Sequence, residues 1–252
     1  MNQHDAKAVV VTGAAGGIGR ATAARLLDDG FRVALWDLDE AAVRDVAADL
    51  SERGDTFAAR CDVGDTASVA DAAAATRDRL GTPWALVNNA GIDRFGMFAD
   101  SDPQDWQRII GVNFVGALNT TKLLLDGLLE HDDARIIFVS SDAGRVGSTG
   151  EAVYAGAKAG LIGFAKSLAR ETAQRGLRVN VVCPGPTDTA LLADVRSSPR
   201  GDKVMDAVAR SIPLGRIGTP ADIAGAIAFF LSSDATYITG QTLSVSGGLT
   251  MM

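Results

Sequence analysis

The run from Val9 to Arg20, VVVTGAAGGIGR, constrains this chain more than any other feature. Its three valines read as a strand buried on both faces. Gly13, Gly17 and Gly19 then let the chain turn tightly into a helix and bring backbone N–H groups, that of Ile18 among them, against a pyrophosphate. The spacing is GxxxGxG rather than GxGxxG, and a plain strand-to-helix turn is the competing reading. A triphosphate-binding loop does not fit, because no Gly-Lys-Ser/Thr follows the glycines.

Short apolar runs recur at residues 7–12, 31–36, 56–61, 84–88, 135–140, 177–183 and 242–246, with helical patterns between them. Such alternation predicts an α/β fold: a single-domain, Rossmann-type, doubly wound parallel sheet over residues 1–252, with helices on both faces and ligands at the carboxyl ends of the strands. One long irregular stretch, from about Pro184 to Pro220, is rich in Pro, Gly, Ser, Arg and Asp and is expected to form a substrate lid at about 187–215.

Several polar residues sit at predicted strand ends. Asp37 closes the second strand at the distance from the glycines where a ribose-binding acid belongs, and neither Leu38 nor Gly16 offers a cation for a 2′-phosphate, so NAD is expected over NADP. Capping of the next helix is the alternative role for Asp37. Asp62 and Val63 follow the third strand and are candidates for the adenine. The paired amides Asn88 and Asn89 follow the fourth, suited both to tying strands together and to lining a cofactor groove. Asn113 lies within a helical pattern, where propensity disfavours it, and so suggests a structural or catalytic hydrogen bond. Ser140 and Ser141 close the fifth strand.

Tyr154 and Lys158 stand four apart at the start of an Ala/Gly-rich helical stretch, so one helix face presents a phenol beside an ammonium. A neighbouring positive charge is expected to lower the phenol's pKa toward the working range of an acid/base catalyst.

The balance of 24 basic against 31 acidic residues, a net charge of −7, opposes nucleic-acid binding. With 47% apolar residues, no run approaching a membrane span and no basic-then-apolar leader, the chain is expected to be a soluble cytoplasmic protein without a membrane partner. His4 and His131 are the only histidines, and Cys61 and Cys183 the only cysteines. They suit neither a metal site nor a Ser-His-Asp hydrolase, and the thiols are expected to be free and buried.

Taken together, Thr12-Gly13-x-x-x-Gly17-x-Gly19, Asn88-Asn89-Ala90-Gly91, Asn113, Ser141, Tyr154-x-x-x-Lys158 and Pro184-Gly185 resemble the short-chain dehydrogenase/reductase family over nearly the whole chain. The resemblance implies that Tyr154 is the acid/base, Lys158 its pKa-lowering and ribose-holding partner, Ser141 the donor that polarises the substrate oxygen, and Asn113 the holder of a relay water. It also places Pro184, Gly185 and Thr187 against the nicotinamide, and implies a homotetramer. The segments SDAGRVGSTGEAVYAGAKAGL and VNVVCPGPTDTALLADV are similar to the 2-hydroxycyclohexanecarboxyl-CoA dehydrogenases of that family. That likeness implies a cyclic hydroxyacyl-CoA substrate, with Ala190, Leu191 and Leu192 over the ring and Arg94, Arg145 and Arg196 near the carrier phosphates. A 3-oxoacyl-thioester reductase, a dehydrogenase of free alcohols, ketones or sugars, and a non-catalytic dinucleotide sensor are the alternatives.

Overall fold

The computed structural model describes residues 6–189 and 201–252, with the side chains of 201–205 excepted. Seven parallel strands form one sheet in the order β3-β2-β1-β4-β5-β6-β7. They are β1 Ala8–Thr12, β2 Arg32–Asp37, β3 Thr56–Arg60, β4 Ala85–Asn88, β5 Arg135–Val139, β6 Arg178–Pro184 and β7 Thr242–Val245. The order reverses between β1 and β4, the crevice at which a doubly wound sheet receives its ligand.

Alternate side chains of each central strand enter opposite cores, because successive Cβ atoms point to opposite faces of a sheet. Val10, Trp36, Leu86, Ile136 and Phe138 pack on one side. Val9, Val11, Leu35, Val87, Ile137 and Val139 pack on the other. Helices α3 Thr66–Leu80, α5 Gly116–Leu128 and α7 Ala152–Thr172 contribute to the first core. The second takes α1 Gly17–Asp28, α2 Glu40–Leu50 and a late helix, Pro220–Leu231. Trp36, buried in β2, donates its indole N–H to Thr76 of α3 at 2.9 Å, which satisfies the one polar atom of the largest core side chain. Cys61 and Cys183 are both free and buried.

Two stretches differ from the sequence expectation. Asn113 lies not in regular α-helix but in a π-helical turn, Gly111–Val115, between α4 Pro103–Ile110 and α5. The expected irregular stretch contains a helix, α8 Gly201–Ser211, ahead of α9 Pro220–Leu231. Its helical spacing of Val204, Val208 and Ile212 follows a Ser-Ser-Pro-Arg-Gly run that reads as loop. Ala190, Leu191, Leu192 and Arg196 lie outside the described residues. At the base of the excursion Thr187 bridges Gly218, with Asp188 N–H donating to Gly218 O at 2.8 Å and Gly218 N–H to Pro186 O at 3.0 Å. The excursion leaves and rejoins the sheet end at one place.

Candidate active site

The glycine loop is fastened to the end of β4. Asn89 donates its side-chain amide to Thr12 O at 2.9 Å and Gly13 O at 3.1 Å. The Thr12 hydroxyl accepts from the backbone N–H groups of Asn89 and Ala90, both at 3.0 Å. Gly13 has φ +63°, and a Cβ there would fall 2.8 Å from the Ala90 Cα; one on Gly19 would fall 2.2 Å from Gly13 O. Only glycine fits either position. Helix α1 opens at Gly16 without a side-chain cap, so its first N–H groups, including that of Ile18, remain for an anion beside a backbone cradle that a Cβ would fill. These residues fit the pyrophosphate of a dinucleotide, and Gly17 borders Thr189 and Pro220 at the foot of the excursion. Asn88 is turned away from this groove: it donates to Thr121 and accepts from Thr120, fastening β4 to α5.

Asp37 takes Ala15 N–H of the loop at 2.9 Å on one carboxylate oxygen and Asp39 N–H at 3.1 Å on the other. Asp39, not Asp37, caps α2. In register with Asp37 on β3 is the exposed Arg60. This cation was invisible to a search of chain neighbours, because only strand pairing brings it there. Asp62 accepts from Gly64 N–H, and Val63 is buried against Gly116 with its carbonyl held by Asn119.

Ser141, Tyr154, Lys158 and Asn113 come from the end of β5, α7 and the π turn. Ser141 lies near enough to Tyr154 to favour its ionised form, and its Oγ accepts Ala143 N–H at 3.1 Å. Lys158 is buried, and its Nζ donates to Val139 O at 2.9 Å and lies 5.6 Å from the Tyr154 ring centroid. Asn113 spends both amide protons on Ile92 O and Ile109 O, at 2.7 and 2.9 Å. Its Oδ1 is buried without a partner among the described residues. A Cβ on Gly91 would come within 2.8 Å of that Oδ1 and 3.2 Å of Lys158 Nζ, so both atoms face one small space. That arrangement suits a bridging water. Beyond β6, Gly185 N–H donates to Val245 O, and the buried Thr187 hydroxyl donates to Gly185 O.

The expected lowering of the Tyr154 pKa is corrected by the structure. Burial pushes the phenol well above its ordinary value, the Asp93 and Glu151 carboxylates push the same way, and only Ser141 opposes them. The ammonium sits by the ring and is directed to a backbone carbonyl. Burial also lowers Lys158 to about 8.

A cavity of about 200 Å³ opens beside Tyr154, walled by Asp93, Phe95, Phe98, Trp106 and Glu151. Phe98 and Trp106 stack at 5.0 Å, and Gly96 N–H donates to Gly150 O at 2.9 Å, joining the two wall loops. Asp93 and Glu151 escaped the sequence reading, since nothing local marks two acids 58 positions apart as neighbours. Two of the arginines expected near the carrier are engaged within the protein. Arg145 donates to Ser244 at 2.7 Å and to Met252 O at 2.5 Å, and Arg94 pairs with Asp105 at 3.1 Å. Each guanidinium already has protein partners. Among the described residues no helix is long and apolar enough to cross a membrane.

A family profile described as enoyl-(acyl carrier protein) reductase matches residues 13–250. The 3-oxoacyl-[acyl-carrier-protein] reductase FabG of Vibrio harveyi is 38% identical over 248 residues, covering 98% of this chain and 99% of the relative. The 2-(S)-hydroxypropyl-CoM dehydrogenase 3 of Xanthobacter autotrophicus is 37% identical, covering 99% and 98%. Among solved structures, a short-chain dehydrogenase/reductase titled glucose/ribitol dehydrogenase, from Brucella melitensis, superposes with TM-score 0.91 at 33% identity over 98% of this chain and 97% of its own. A single-substitution variant of the actinorhodin polyketide ketoreductase, with NADPH, superposes with TM-score 0.95 at 32% identity, over 99% of both chains.

Proposed function

This chain belongs to the short-chain dehydrogenase/reductase family, oxidoreductases that act on CH–OH and keto groups, and within it we propose an NAD-dependent enzyme that interconverts a 3-hydroxyacyl thioester and its 3-oxo form. The observation that carries this reading is Tyr154 on the wall of the cavity, with Lys158 Nζ 5.6 Å from its ring centroid and facing one small space together with the unpartnered Asn113 Oδ1. Asp37 at the rim of the glycine loop supports NAD, since its carboxylate accepts from ribose hydroxyls and repels a 2′-phosphate. The relatives named for acyl-carrier-protein and CoM substrates support a thiol-linked carrier. The cyclic 2-hydroxyacyl-CoA of the sequence reading is the specific member we assign, oxidised at its secondary alcohol. Function as a cytoplasmic homotetramer is part of the same proposal.

Bound in this groove, a nicotinamide would supply the hydride chemistry; the side chains handle the proton. Tyr154, kept protonated by burial, is ready to donate to a substrate carbonyl oxygen in reduction, with Ser141 beside it to hold that oxygen. In oxidation the phenol must first lose its proton. Lys158 and Asn113 Oδ1 border the space through which a water can carry it away from the site.

A second reading, a 3-oxoacyl-thioester reductase using NADPH, is favoured by the Vibrio relative, which carries that reductase name, and by the NADPH of the ketoreductase structure. Assay of cyclic and linear 3-hydroxyacyl-CoA esters, their oxo forms and simple secondary alcohols, each with NAD(H) and NADP(H), separates the readings. Equal kcat/KM for a simple alcohol and a thioester refutes the thioester assignment. Light scattering at micromolar concentration tests the tetramer, which a monodisperse monomer refutes.

A further inference from the structure

Among the described residues the cavity beside Tyr154 carries five carboxylates on its wall, Asp93, Asp100, Asp102, Asp105 and Glu151, and one basic residue, Arg94. Arg94 is neutralised by Asp105 at 3.1 Å, and Asp102 is committed to capping α4. Asp93 and Glu151 stand differently. They hydrogen-bond each other, with Arg94 N–H donating to Asp93 at 2.7 Å, and the charge of each bears on the Tyr154 hydroxyl. The other described wall residues are mainly apolar, with Phe95, Phe98 and Trp106 the largest, and none of them is a cation.

Resting on the reading of this cavity as the substrate site, we propose that Asp93 and Glu151 form a charge filter, admitting uncharged acyl thioesters and esters and excluding the corresponding free carboxylates. The reasoning is positional. A 3-oxoacyl or 3-hydroxyacyl chain bound with its reacting oxygen on Tyr154 keeps its C1 atom two bonds from the reacting carbon, and so inside the cavity whichever way the chain lies. At C1 a thioester presents a neutral carbonyl, which carries no net charge for the two acids to repel. A free acid presents a full negative charge at the same place, against two acids with no free cation among the described wall residues to offset them. Discrimination of this kind comes from repulsion of the wrong substrate rather than from extra contacts to the right one. Burial, and then the hydrogen bond with Glu151, raise Asp93 to about 6, so the filter is strongest above that pH and weakens below it as the pair takes up a proton.

The test compares acetoacetate with its N-acetylcysteamine thioester, a carrier without phosphates, using NADH on the full-length wild type, Asp93→Asn and Glu151→Gln. The readout is the thioester-to-acid ratio of kcat/KM, in which changes common to both substrates cancel. In the wild type at pH 8 the ratio should be at least about a hundredfold. Each variant should lower it at least about tenfold, equivalent to about 1.4 kcal/mol. Acetoacetate stays ionised between pH 8 and 5.5, so the wild-type ratio should fall across that interval. Lys158, lowered to about 8, titrates in the same interval and acts in the same direction. Because Asp93→Asn retains Lys158, Tyr154, Arg94, Asp100, Asp102 and Asp105, the slope it loses belongs to the pair. Ratios within about twofold of wild type in both variants, or a wild-type ratio independent of pH, overturn the filter. If neither variant folds, a wild-type ratio independent of pH still overturns the filter. A wild type that turns over neither compound removes the functional reading, and the filter with it.

Discussion

Replacing Asn89 by aspartate keeps the side chain's shape and removes its two donors, which makes it a sharp probe of how the glycine loop is held. In the native chain that amide serves Thr12 O at 2.9 Å and Gly13 O at 3.1 Å, at a position half shielded from water. Two hydrogen bonds of about 1 kcal/mol each are lost, and two carbonyls are left facing an acceptor; together these effects should destabilise the fold by about 2–4 kcal/mol. For a chain of this length that corresponds to a fall in Tm of about 5–15 °C by scanning calorimetry. The loop is also the proposed pyrophosphate cradle, so KM for the dinucleotide should rise at least about tenfold. Asn88→Ala is the matched control. Its amide joins Thr120 and Thr121 of α5, so it should lower Tm while shifting the cofactor KM far less. A Tm change under about 2 °C in Asn89→Asp, or equal KM effects in the two variants, would refute this division of labour between adjacent amides.

Tyr154→Phe should remove most turnover and leave cofactor affinity near wild type by fluorescence titration, whereas Lys158→Ala should damage both; near-native activity in the phenylalanine variant contradicts the acid/base assignment. NAD should exceed NADP in kcat/KM by at least about tenfold, or about 1.4 kcal/mol. Asp37→Ala should narrow that gap by removing repulsion next to the in-register Arg60, and steady-state kinetics showing equal use of both cofactors by wild type sinks the proposal. Since burial raises the Tyr154 pKa, the protonated acid persists through neutral pH and the phenolate gains only as pH climbs. Oxidation kcat/KM should therefore rise from pH 7 to 10 while reduction does not, and a falling oxidation profile over that range counts against it.

The strands were legible because β1, β4 and β5 are short runs buried on both faces, a pattern that survives whatever lies around them. The proposed catalytic set was legible for another reason: Ser141, Tyr154 and Lys158 keep fixed separations within one strand-to-helix unit. What sequence spacing does not carry is depth. The i,i+4 relation of Tyr154 and Lys158 predicts an adjacent charge, but not that the ammonium points to Val139 O or that the phenol is enclosed. Nor does it carry pairing across loops, which is why Asp93 with Glu151 and Asp37 with Arg60 emerge only when the chain is folded. Arg145 shows the converse: an arginine next to the site is occupied by the C-terminal end of the chain.

The bridge between Thr187 and Gly218 separates two histories that one polypeptide could undergo. Because its two ends are bridged to each other, the segment between them can change in length and composition while β6 and β7 keep their register. Doubling such a closed excursion costs only about 0.6 kcal/mol in chain entropy. The segment can thus be lengthened, shortened or exchanged between relatives with the arrangement of Ser141, Tyr154 and Lys158 carried forward unaltered.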